Sequence, residues 1–162
     1  MISLNLTSQK TFISHLLLKE TFDNFQFIEG EIVTFNKFTI DGFTQKGFYE
    51  DPDDLPEYSS WKNVKEYCLS IIKGKQTPLS FRFIFRLSPK NTERLLEQKQ
   101  LDFQPQDVQG LYLNITFDNN GLKCITGTSL KLFSLDKSLE KSWDEMVQKF
   151  FEQKEIPFDL DL

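Results

Sequence analysis

Between residues 79 and 88 the chain reads LSFRFIFRLS, and its apolar positions alternate without a break. Phe81, Phe83, Phe85 and Leu87 fall on one face and Arg82, Ile84 and Arg86 on the other, the period-two pattern of a half-buried strand. The same alternation marks ISLNL at 2–6, FQFIEGEIVTF at 25–35, KFTIDGF at 37–43 and SLKLFSLD at 129–136. The stretch LYLNITFDNNGLKCITG at 111–127 predicts a hairpin. Placing Asn120-Gly121 in a type I′ turn supplies two positive φ values and pairs Asp118 with Lys123 and Phe117 with Cys124.

Helical spacing fills the intervals. Thr7 or Ser8 caps a helix running to about Lys19, with Phe12, Ile13, Leu16 and Leu17 on its apolar face. His15, the single histidine, points away from that stripe and is expected at a solvated or edge position. Trp61, Val64, Cys68 and Ile71 line a second helix, with Gly74 past its end and Pro78 beyond. Ser88 followed by Pro89 opens a third, to about Lys99. A last helix turns Leu139, Trp143, Met146, Val147 and Phe150 inward.

The strand ending KFTID at 37–41 returns as LFSLD at 132–136. Each half reads strand, helix, strands, then a helix carrying a tryptophan. This predicts an α+β fold, a mainly antiparallel sheet with helices on one face, built by internal duplication of a β-α-β-β(-β)-α unit. One globular domain would span 1–155, from pseudo-repeats 1–74 and 79–155 with Phe38 equivalent to Phe133, leaving 156–162 as a tail. The order resembles the TATA-binding-protein-like fold by analogy of topology, which carries no function.

Composition narrows the function classes. The 162 residues carry a formal charge of −5, which argues against a general nucleic-acid binder. Phe occurs 17 times and Ala never, so a Phe-rich core is expected. No apolar run approaches the roughly 20 residues that cross a bilayer, and no signal peptide is evident. With Cys68 and Cys124 far apart and outside any C-x-x-C spacing, the expectation is a cytoplasmic protein with reduced thiols.

FNKFTIDG at 35–42, IKGKQTPLSFRF at 72–83, FRLSPKNTERLLEQ at 85–98 and TGTSLKLFSLDKSLEKSWDEM at 126–146 resemble an uncharacterised family of bacterial proteins from anaerobic Firmicutes, a domain of unknown function. The resemblance covers nearly the whole chain and implies a single bacterial domain, with no activity, cofactor, partner or site residue attached.

No nucleophile elbow, zinc-protease or phosphate-loop string occurs, and no cofactor is expected. The acidic loop Glu50, Asp51, Asp53, Asp54 and Glu57 has carboxylates for a hard cation but lacks the glycine and distal glutamate of a calcium loop. Asp41 and Asp136 hold matching places in the two halves, as paired carboxylates or as turn-forming residues. Lys73, Lys75, Arg82, Arg86, Lys90 and Arg94 form the main basic group, a possible anion or nucleic-acid contact through Lys73, Lys75, Arg82 and Arg86. The pattern favours a small non-catalytic binding or scaffolding protein with a protein partner or self-association. A nucleic-acid-associated protein using the 73–94 region is the alternative. An enzyme working through Asp41, Asp136 or the acidic loop ranks third.

Overall fold

The computed structural model describes residues 1–161. Among them β1 (Ser3–Leu6), β2 (Gln26–Val33), β3 (Lys37–Asp41), β4 (Ser80–Arg86), β5 (Val108–Asp118), β6 (Gly121–Leu130) and β7 (Phe158–Leu160) make one sheet, in the order β3-β2-β4-β5-β6-β1-β7. Every pairing is antiparallel. The helices are α1 (Gln9–Ile13), which continues as a π-helical segment over Ser14–Leu18, α2 (Trp61–Ile72), α3 (Pro89–Gln98) and α4 (Ser138–Gln153). The class is α+β, as the alternation and helical spacing predict.

Phe81, Phe83 and Phe85 of β4 point into one hydrophobic core and face Phe117, Ile115 and Leu113 of β5 in register. Fully burying each such ring is worth about 1.5–3 kcal/mol. Trp61 and Trp143 are buried and carry α2 and α4 against the same core. Their indole N–H groups donate to Leu16 O at 2.7 Å and to Tyr112 O at 3.1 Å, so neither burial leaves an orphaned donor. The opposite sheet face carries Glu29, Glu31, Arg82, Asn114 and Lys123, a polar set suited to water.

Several expectations change. His15 is buried, within a π-helical segment in which the Lys19 N–H donates to Ser14 O at 2.9 Å, five residues back. The loop after the π-helical segment folds back, and Thr21 Oγ1 shares a 2.6 Å hydrogen bond with His15 Nδ1, a contact that helical periodicity does not show. The hairpin turns on Asn119 and Asn120, whose φ values are not positive, with Gly121 at φ 98 just after them. Asp118 Oδ1 accepts the Asn120 N–H at 2.8 Å and fixes that turn. Asp118 therefore pairs with Gly121 and Phe117 with Leu122. The register moves by two residues, so the same side chains still face inward.

Residues 132–136 are not a strand: β6 stops at Leu130, and Phe133 and Leu135 are exposed. Phe133 is thus not the equivalent of Phe38. The strand order does not repeat either, since β5 pairs with β4 whereas β2 does not pair with β1. A proposed duplication of 1–74 and 79–155, and the topological analogy built on it, find no support in that order. The predicted tail forms β7 instead, with Phe158 opposite Leu6 and Leu160 opposite Leu4. Its alternation is a strand pattern with a partner to pair with; Leu162 lies outside the described residues.

Candidate functional site

The π-helical segment ends in a tight loop over residues 19–25. Phe22 anchors it at the centre of an aromatic cluster, its ring 5.6–6.2 Å from those of Phe12, Phe25, Phe85, Phe150 and Phe151. Lys65 of α2 ties the loop down, its ammonium donating to Asp23 Oδ1 at 2.6 Å and to Lys19 O at 2.8 Å. With Phe22 and Asp23 fixed below, Glu20, Thr21 and Asn24 form one rim of a pocket of about 260 Å³.

The other walls come from distant segments. Trp143, Met146, Val147, Phe150 and Lys154 arrive from α4 and its end, Leu87 and Asn91 from the start of α3, and Leu113 from β5. The walls are apolar and the rim carries two amides, a hydroxyl, a carboxylate and an ammonium. The Lys154 ammonium lies 5.9 Å from the centre of the Phe150 ring. Beneath the rim, His15 Nδ1 and Thr21 Oγ1 share a 2.6 Å hydrogen bond. Burial, with help from the nearby Lys19 and Lys154 charges, holds the imidazole pKa below its ordinary value near 6.5. An apolar cleft with a few convergent polar groups is the usual form of a small-molecule site.

The chain matches the model of a family of unknown function, DUF5721, over residues 15–159, a span that includes every residue lining this pocket. It belongs to that family. No curated protein matches the chain, and no solved structure does. Membership in DUF5721 agrees with the resemblance to a domain of unknown function and assigns no activity.

In this DUF5721 chain the basic residues scatter over several environments. Arg82 lies 3.5 Å from Glu29 across the β4–β2 pair. Arg86 donates through Nε to Gln26 Oε1 at 2.8 Å, approaches Glu57 at 3.8 Å, and stacks 5.0 Å from the centre of the Tyr58 ring. Lys73 and Lys75 are exposed in the connection after α2, and Lys90 and Arg94 are exposed on α3. The acidic loop residues Glu50, Asp51, Asp53, Asp54 and Glu57 are exposed, and no cluster among the described residues could hold a metal ion. Asp41 Oδ1 accepts the Phe43 N–H at 2.8 Å, and Asp136 Oδ1 accepts the Ser138 N–H at 2.9 Å. That backbone bond lowers the Asp136 pKa; each aspartate closes its own local turn. Burial pushes the Cys68 thiol up to about 12 and raises that of Cys124 as well, which keeps both unreactive.

The pocket carries no sequence signature, because its walls come from segments far apart in the chain. His15 next to a π-turn was the nearest local sign, and helical periodicity hides it.

Proposed function

We propose that this protein is a small, non-catalytic binding protein whose site is the pocket between the 19–25 loop, α3 and α4. The observation that carries the reading is the lining itself, with Phe25, Leu87, Leu113, Trp143, Met146, Val147 and Phe150 inside and Glu20, Thr21, Asn24, Asn91 and Lys154 at the mouth. At about 260 Å³ it suits a small apolar or amphipathic molecule, whose polar end would meet the amides and the Lys154 ammonium. A cytoplasmic location fits the two buried, unreactive thiols. The nucleic-acid alternative through Lys73, Lys75, Arg82 and Arg86 is weaker, because Arg82 and Arg86 already face Glu29, Gln26 and Glu57.

Methyl NMR tests the proposal directly. Met146 is one of two methionines, so the methyl of a pocket residue is read in a two-signal spectrum. Titrating octanoate and hexylamine should shift the Met146 methyl and leave that of the exposed Met1 unmoved. Asn91→Trp, placed at the mouth, should abolish the shift. Unchanged Met146 with both probes, or equal shifts in the Asn91→Trp variant, would remove the pocket as the site.

A further inference from the structure

Two features far apart in the sequence are complementary. The first is the open edge of the sheet. β3 pairs with β2 on one side, and among the described residues no strand pairs with its other side. It is short, contains no proline and presents Phe38 and Ile40, both half-buried, on the core face. The Phe38 ring lies 5.9 Å from that of Phe35, which is 87% exposed. Phe35 in turn lines an open groove with Ile71, Ile72 and Leu79, edged by Lys73 and Lys75.

The second feature is the segment 132–136. It belongs to no strand or helix, yet Phe133 is 89% and Leu135 81% exposed. Two large apolar side chains at i and i+2 of an unpaired segment leave surface that folding normally covers. Its pattern, Phe-Ser-Leu-Asp, matches the Phe-Thr-Ile-Asp of β3.

The geometry points to segment 132–136 of a second copy of this chain as an added strand on the free edge of β3. Charge sets the direction. A parallel alignment would place Asp136 beside Asp41, whereas an antiparallel one places Asp136 opposite Lys37. In that antiparallel register Leu135 faces Phe38, Ser134 faces Thr39 and Phe133 faces Ile40. Phe133 and Leu135 then fall on the core side, with Leu135 towards Phe35 and the groove, while on the outer side Asp136, which keeps its bond from the Ser138 N–H, joins Lys37 beside Glu31, 3.5 Å from the Lys37 ammonium. Backbone bonds along the edge supply affinity, and the two apolar side chains supply selectivity, as in other strand-addition contacts. The joined surfaces are unlike, so the contact closes into a ring or a two-fold pair only if the rotation allows; self-association itself is the readout.

Sedimentation velocity over a range of concentrations tests this in the full chain. The average mass should rise above the 19.1 kDa of one chain. Phe133→Asp, at an exposed position that should not disturb folding, should weaken association by about tenfold or more, the usual loss for a central aromatic anchor. A Ser134→Cys, Thr39→Cys double variant should form disulfide-linked oligomers under mild oxidation, beyond what either single variant gives. The native thiols are buried and stay out of the reaction. A monomer at every concentration, association unchanged in Phe133→Asp, or no linkage specific to the double variant would each overturn the proposal.

Discussion

His15 shows how a single side chain can be placed by a neighbouring loop rather than by the period of its own helix. Helical periodicity alone would make it a surface residue; with the following loop folded back it is buried, hydrogen-bonded to Thr21 and shifted towards the neutral form. The consequence for stability follows from linkage. The folded-state pKa lies below the ordinary 6.5, so in the window beneath that value the unfolded chain binds more protons than the folded one. The contribution of neutral His15 is therefore complete above the unfolded pKa and is lost as pH falls through that window. The Lys19 and Lys154 charges facing the ring act in the same direction. Urea unfolding at about pH 7.5 and about pH 5.5 should show a larger loss in the wild type than in His15→Gln, which keeps a partner for Thr21. An equal loss in both would assign the acid sensitivity to other groups.

Among the elements, the β5–β6 hairpin allows the clearest test. Gly121 has φ 98, and a Cβ built there meets no heavy atom within 4 Å, so any cost of substitution is conformational. Gly121→Val should destabilise the fold by about 1–3 kcal/mol, the range for a strained backbone position. Urea titration measures it, and a loss well under 1 kcal/mol would show that the turn relaxes freely. The hairpin also marks what the sequence could convey. Alternation located β4, β5 and β6 and the inward set Phe81, Phe83 and Phe85, because packing depends on period alone. It misplaced the turn because Asn119-Asn120-Gly121 offers two adjacent positions, and the Asp118 carboxylate decides between them through a bond no periodicity encodes. Strand order, the pairing of 158–160 with β1 and the pocket walls depend on contacts between distant segments, which a local pattern cannot rank.

At the scale of the whole molecule, charge opposes nucleic-acid binding. The chain carries −5, and the open sheet face interleaves cations with anions, as in Arg82 with Glu29 and Lys123 with Asp161 at 3.2 Å. The aromatic row of β4, Phe81, Phe83 and Phe85, lies on the other face, in the core, and is unavailable for base stacking. Fluorescence anisotropy with single- and double-stranded oligonucleotides should detect no binding tighter than roughly micromolar at about 0.15 M salt. Submicromolar binding lost in Arg82→Glu would reverse that ranking. The sheet order has a further consequence, in time rather than space. β1 lies between β6 and β7, so its partners among the described residues are both made well after it. Leu4 and Leu6 must stay uncommitted while β2 through β5 assemble, and their docking closes long loops, from Leu4 to Cys124 of β6 and to Leu160 of β7. A ribosome-bound chain lacking residues 156–162 should therefore leave β1 half-paired and sensitive to protease. β1, though made before both its partners, is among the last strands to be protected.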